Sequence, residues 1–266
     1  MPHATKHKKK AATRLKVQET IDFGFEQIRR EEKKARVGEV FTSVASKYDI
    51  MNDLMSAGLH RLWKDTMVGM VPLTAHAKIL DVAGGTGDIA FRMHRRFEKA
   101  GVAHHITVSD INPDMLGEGK KRAVDQGYLK GFSWKVADAE ALPFEDNSFD
   151  VYTIAFGIRN VTDRLQAMKE AYRVLKTGGK LLVMEFSHLE LPLLQRLYDA
   201  YSFSMIPFIG EKVSGDRAAY QYLVESIRAF PKPEAFAALI EQAGFENVQF
   251  RRLHLGVVAI HSGWKV

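Results

Sequence analysis

One stretch constrains this chain more than any other: residues 78–90, KILDVAGGTGDIA. An apolar run leads into Gly84, Gly85, Thr86 and Gly87, and Asp88, Ile89 and Ala90 then open a helical pattern. A strand, a glycine turn and a helix start in that order bring backbone close to a ligand, because glycine accepts positive φ and has no side chain in the way. The helix aims its unsatisfied N–H groups back into the turn. The spacing Gly85-x-Gly87-x-x-Ala90 fits the dinucleotide fingerprint G-x-G-x-x-G/A. On the turn alone, a nicotinamide dinucleotide and S-adenosylmethionine both remain open.

The 266 residues suffice for one large α/β domain with insertions or for two small ones. With 46% hydrophobic and 26% charged residues the composition is that of an ordinary globular protein, and no apolar run approaches the roughly 18 residues that span a bilayer. The absence of cysteine excludes disulfides and thiolate chemistry and fits a cytoplasmic setting. The net charge of +6 is a property of one end. Residues 1–18 hold Lys6, Lys8, Lys9, Lys10, Arg14 and Lys16 and no acid; removing them leaves 32 basic against 32 acidic residues. A basic groove for nucleic acid is therefore not expected. The segment lacks the apolar core of a secretory signal. Residues 1–20 read as a disordered basic tail, with a weak attraction to anionic lipid as the sharper alternative; a transit peptide is the weakest reading, because the tail is poor in serine.

Residues 37–70 carry helical periodicity in Val40, Phe41, Val44 and Tyr48 and again in Leu54, Leu59, Leu62, Trp63 and Met67, interrupted at Asn52, Ser56 and Gly58. Residues 21–72 thus read as a helical cap of two or three short helices, and 73–266 as the main domain. From residue 77 strands alternate with helices: a first strand beginning near Ala77, then strands over 105–110, 132–137, 149–156 and 180–186, with helices over about 88–99, from Pro113, and from Thr162–Asp163 to near Lys176, stopped by Gly178–Gly179. Such alternation predicts parallel βαβ units with right-handed crossovers. Residues 188–230 break the rhythm with an apolar stretch too long for a structureless loop, read as a helical lid or as plain core. A helix follows over 233–243. The last two strands, 248–254 and 257–261, are too close for a crossover, so one of them runs antiparallel. The fold class is α/β, Rossmann-like, with a mostly parallel sheet.

The acids choose between cofactors. A pyrophosphate wants a helix start free of negative charge, yet Asp88 follows Gly87 directly and Asp81 lies on the approach. Asp110 ends the second strand, where a carboxylate accepts ribose hydroxyls, and Asp138 follows the third, within reach of an adenine amine. Four acids at the carboxyl ends of successive strands mark the edge where open α/β sheets bind ligands. Together with the terminal hairpin, they favour a cationic ligand, S-adenosylmethionine (SAM).

Five blocks then carry a specific resemblance: Phe41-Thr-Ser-Val-Ala-Ser-Lys-Tyr-Asp-Ile-Met-Asn52, the glycine turn over 80–88, residues 141–144 (ALPF), Phe156-Gly-Ile-Arg-Asn-Val-Thr-Asp163, and Gly178–Gly179. Over roughly residues 20–266 the chain resembles the ubiquinone/menaquinone biosynthesis C-methyltransferases, class I SAM-dependent enzymes with a seven-stranded sheet. The resemblance implies methyl transfer from SAM to a ring carbon of a polyprenylated benzoquinol or naphthoquinol. On this reading the apolar stretch 188–230 shelters the polyprenyl tail, with a peripheral approach to the inner membrane and a quinone-synthesis complex as a candidate partner. The alternatives are a SAM enzyme acting on a soluble small molecule and a non-catalytic SAM-fold partner within such a complex.

The cofactor-binding set expected from these readings is Tyr48, Asp81, Gly85, Thr86, Gly87, Asp110, Asp138, Ala139 and Ala155. Ala155 stands where many members have serine. Carbon methylation needs the ring oxygen to develop negative charge while the carbon is held in line with the methyl group. Arg159 is expected to stabilise that phenolate at the mouth of the site, Asn160 to orient the ring or a water, and Asp53 to face the substrate. His188, just after the fifth strand, reads as a candidate base or as a structural histidine, and the ten histidines show no helical metal-ligand spacing, so no metal is expected.

Overall fold

The computed structural model describes residues 20–44, 53, 56, 58–189, 202–204, 206–208, 211–212 and 216–266, without the side chains of residues 41, 43 and 44. Residues 1–19, Tyr48 and much of the proposed lid lie outside these. The first described element corrects the expectation of a purely helical cap. Thr20–Phe23 (β1) and Glu26–Arg29 (β2) form an antiparallel hairpin that pairs Ile21 with Ile28 and turns at Gly24, φ +62°. Ile21 and Phe23 alternate with polar neighbours, but a four-residue strand is too short to register as a period. Helices Arg30–Val44 (α1) and His60–Gly69 (α2) follow; α2 buries Trp63 and Met67 of the expected apolar face but leaves Leu62 57% exposed.

The central sheet begins with Ala77–Val82 (β3), followed across the glycine turn by Asp88–Lys99 (α3). Next come His104–Asp110 (β4), Pro113–Asp125 (α4), Phe132–Val136 (β5) and Phe149–Ala155 (β6). Arg164–Val174 (α5) leads into Leu175–Phe186 (β7); Arg217–Arg228 (α6) and Pro233–Gln242 (α7) precede Glu246–Leu253 (β8) and Val258–Trp264 (β9). The seven strands lie in the order β5-β4-β3-β6-β7-β9-β8. The first five are parallel, and β9 runs antiparallel to both its neighbours, as the short terminal connection requires.

Asn112 caps α4 by accepting from the N–H groups of Asp114 and Met115, and Asp163 caps α5 through the N–H of Gln166. Gly178 and Gly179 do not end α5, which stops at Val174. They lie within β7, where Gly178 donates to the Lys265 carbonyl and Lys265 donates to that of Gly179. The sheet buries both faces. Ile79 joins Trp63, Met93, Phe97 and Tyr220 on one side, and Leu80 joins Tyr152, Met168, Phe236 and Ile240 on the other, the two-residue period of a strand covered by helices on both faces. Within the apolar stretch, the described α6 buries Tyr220, Leu223, Val224 and Ile227 in the first of these cores, so that part of it is packing.

Because β3 pairs with β4 on one side and β6 on the other, the chain reverses its winding at the carboxyl end of β3. Connections leave in opposite directions there and open a crevice. The glycine turn fills its floor.

Candidate active site

Two adjoining clefts open at this edge and share Ala83 and Phe156. The larger, of about 810 Å³ including its mouth, is lined by Asp110, Met115, Ala139 and Asn160 and roofed by Lys34, Val37 and Gly38 of α1. The smaller, of about 420 Å³, is lined by Asp81, Thr86, Asp88 and Ala155 and by Lys64 of α2. Ala83 and Phe156 each follow a strand and each hold positive φ, 49° and 56°. Such strain in residues other than glycine persists where the surroundings impose it. Here the two strand ends are pressed together: a Cβ on Gly157 would stand 2.5 Å from that of Ala83.

Asp110 ends β4 with both oxygens engaged by backbone. Oδ2 accepts from Gly85 at 2.9 Å and Oδ1 from Asn112 at 2.9 Å. Burial raises its pKa against the pull of those N–H groups. Each oxygen keeps a lone pair, and the carboxylate lines the larger cleft, which suits the two hydroxyls of a ribose. Asp81 is more deeply placed. Its Oδ1 accepts from Thr153 Oγ1 at 2.7 Å, while Oδ2 is buried with no hydrogen bond to a described residue. Burial pushes this carboxyl up to about 7. An orphaned acceptor beside a glycine turn fits an ammonium group arriving from the smaller cleft.

Asp88 contributes differently from expectation. Its oxygens take Lys64 Nζ at 2.7 Å and Arg92 Nε at 2.9 Å. Burial alone would raise its pKa, but those two cations hold it below the ordinary carboxylate value. Its charge is thus already neutralised by protein, and the case for a cationic ligand rests on Asp81. Asp138 is likewise engaged, by Lys34 Nζ at 2.5 Å and the N–H of Glu140 at 3.0 Å, and with the buried Ala139 it lines the larger cleft. Thr86 is buried and receives a long contact of 3.4 Å from Arg122. Gly87 must be glycine on two counts: its φ is +84°, and a Cβ there would meet the Phe91 ring at 2.8 Å. Gly85 also holds positive φ, 52°.

Arg159 is not at the mouth. Its guanidinium is buried beneath the turn after β6, where Nη1 donates to Glu185 Oε1 at 2.7 Å and to the Phe156 carbonyl at 2.6 Å. Both side chains of the ion pair are 1% exposed. The reason is geometric: Ile158–Asn160 forms a single tight 3₁₀ turn, which directs residue 159 inward and leaves Asn160 on the cleft. Asn160 is held by the Tyr222 hydroxyl, which donates to Oδ1 at 3.0 Å. Asp53 accepts from Arg61 at 2.8 Å and lines neither cleft. His188 joins the Phe230 carbonyl at 3.0 Å and ties the end of β7 to the start of the α7 segment. Lys34, Lys64 and Tyr222 escaped the sequence reading, since each matters only through a partner remote in the chain.

The donor set therefore fits SAM: an orphaned carboxylate oxygen for its ammonium, a backbone-held carboxylate for its ribose, and an apolar crevice over a glycine floor. The fold agrees. A SAM-dependent methyltransferase from Thermotoga maritima superposes with a TM-score of 0.57 at 23% identity, covering 86% of this chain and 99% of that one. Another, from Methanococcus maripaludis, gives 0.55 at 16% identity over 81% and 90%. Sequence relatives are far nearer. The 2-methoxy-6-polyprenyl-1,4-benzoquinol methylase of Oryza sativa mitochondria is 55% identical over 92% of this chain and 88% of its own length. The ubiquinone/menaquinone biosynthesis C-methyltransferase of Roseobacter denitrificans is 54% identical over 93% and 97%. The family pattern itself matches residues 29–265. This chain, a SAM-dependent methyltransferase, belongs to the ubiE/COQ5 methyltransferase family.

Proposed function

We propose that the chain transfers the methyl group of SAM to a ring carbon of a polyprenylated quinol, 2-methoxy-6-polyprenyl-1,4-benzoquinol or demethylmenaquinol. The observation that carries this reading is the 54–55% identity, over more than nine-tenths of the chain, to relatives named for that reaction and pathway. SAM supplies an electrophilic methyl group; the protein supplies position and field. Asp81 holds the ammonium of the cofactor and Asp110 its ribose. With Oδ1 of Asn160 taken by Tyr222, the Asn160 NH₂ group is left to donate to a ring oxygen as charge gathers on it. Arg159 acts from below as a positioning residue, by holding the Phe156 carbonyl and Glu185.

A prenylated ring partitions into lipid, so this reading includes a peripheral approach to the inner membrane from the cytoplasmic side. No helix among the described residues is long and apolar enough to cross a membrane. Phe25 at the tip of the β1–β2 hairpin and Phe208 are 63% and 48% exposed, which supports a peripheral contact. Association with other quinone-synthesis proteins belongs to the same reading. Incubating the protein with methyl-labelled SAM and each demethylated quinol, then locating the label, tests it. Label on the ring carbon of either quinol is expected; label only on simple phenols or amines would overturn it.

A further inference from the structure

The carboxyl ends of the strands hold the methyl-transfer site, but a second group of chemistry-bearing side chains gathers at their amino ends. His94 and Glu98 stand one turn apart on one face of α3. The chain then reverses through Gly101, φ +67°, and brings His104, the first residue of β4, against them. One ligating atom from each of the three lies within 4.8 Å of the other two. Asp110 sits at the far end of the same strand, six residues and about 20 Å away at 3.3 Å per residue.

The hydrogen bonds orient both rings. His104 Nδ1 lies 3.0 Å from the Val102 carbonyl, and since a carbonyl only accepts, Nδ1 carries the proton and Nε2 is the lone-pair end. That Nε2 faces His94 Nδ1 at 2.8 Å. An imidazole whose second nitrogen donates to a backbone carbonyl is the arrangement that fixes metal-ligating histidines. Rings of Tyr128 and Phe132 lie 4.7 and 4.9 Å from His94, and that of Phe97 lies 4.9 Å from His104. They limit how far either imidazole swings away.

We propose that His94, Glu98 and His104 form a binding site for a divalent transition-metal cation, zinc by the chemistry of its ligands. Two imidazole nitrogens and one carboxylate oxygen, with water as the fourth ligand, make a tetrahedral zinc set, whereas magnesium and calcium ask for oxygen. The fit is close. At Zn–N distances near 2.0 Å, two ligands at the tetrahedral angle stand about 3.3 Å apart, so the ion takes the place of the shared proton and the rings part by roughly 0.5 Å. Glu98 is exposed and free to rotate inward. No H-x-x-x-H spacing announces the site, because its second histidine comes from a strand. Bound there, the ion fastens the last turn of α3 to the first residue of β4, away from any reacting atom.

The test uses the full chain, stripped with chelator and titrated separately with zinc chloride, cobalt chloride and magnesium chloride. One equivalent of zinc is expected to bind, and zinc at a hundredfold excess over its Kd to raise the Tm by about 5 °C. Magnesium should do neither, and cobalt should show the visible absorption of a tetrahedral site. His94→Gln and Glu98→Gln should each weaken zinc binding by at least about tenfold. The exposed Glu98→Gln variant should do so without lowering the metal-free Tm, which separates ligand loss from misfolding. His3 and His7 in the N-terminal segment are the competing ligands. If a His3→Gln, His7→Gln chain loses the zinc while His94→Gln keeps it, or if no equivalent binds, the proposal falls.

Discussion

The hydroxyl of Tyr222 donates to Oδ1 of Asn160 at 3.0 Å, joining α6 to the turn after β6. Burial pushes that hydroxyl up to about 12, so it stays protonated, a donor, at every pH at which the protein works. Its partner therefore keeps one amide orientation, oxygen toward α6 and nitrogen toward the cleft. An aromatic residue with no place in the glycine turn thus decides what Asn160 offers to the larger cleft.

Tyr222→Phe should lower turnover by about tenfold, the worth of roughly 1.4 kcal/mol in the transition state, because the amide is then free to turn. SAM affinity should stay within about twofold. Steady-state kinetics beside calorimetric titration measures the two, and a parallel fall in both would assign Tyr222 to the cofactor rather than to the substrate.

Arg159→Ala should be costly to the fold. It strands Glu185, whose side chain is 1% exposed, without its cation, and breaking a buried pair from one side costs about 3–5 kcal/mol. Replacing both partners, Arg159→Met with Glu185→Leu, should recover most of that loss in urea unfolding, while methyl transfer stays impaired. A single variant as stable as the parent would contradict the burial described.

Cofactor binding should depend on pH through Asp81. Burial pushes its carboxyl up to about 7 in the free protein, and an ammonium beside it requires the ionised form. The Kd for SAM should be flat above that point and weaken below it by up to about tenfold per pH unit. Asp81→Asn should bind weakly and without this slope, as titrations between pH 5.5 and 8 would show.

Acid should destabilise the protein through His261. Its ring is buried, Nε2 donates to the Pro233 carbonyl at 3.0 Å, and burial pushes it down to about 4 from the ordinary 6.5. The unfolded chain takes up a proton below about 6.5 that the folded chain excludes until about 4. Stability is therefore lost as pH falls through that window, by up to about 3 kcal/mol. His261→Gln retains the donor and should give a shallower slope in denaturant midpoint against pH.

What could be read from the chain alone follows from range. The strand at 77–82 and the helix at 88–99 were legible because apolar runs and a glycine turn are local signals. Asp110 was legible because a strand end fixes its place. Lys34 meeting Asp138 across 104 residues, and Lys64 neutralising Asp88, were not: no local pattern encodes a partner. Arg159 misled for a related reason. A charged residue just past a strand points to the ligand by default, and only the 3₁₀ turn with Glu185 beneath it turns the side chain inward. The hairpin at 20–29 was too short to announce itself.

That hairpin also sets an order of events. Phe23 stacks on Tyr222 at 4.1 Å, and the Phe25 N–H reaches Glu225 across 200 residues of chain. A Cβ on Gly24 would strike the Glu225 carboxylate. Contacts that distant in sequence form only after the long loop between them has closed. The amino-terminal roof of the crevice cannot settle during synthesis until α6 has emerged, by which time β3 to β7 are already available to pair. The enclosure of the chemistry is thus built late, from residues made early.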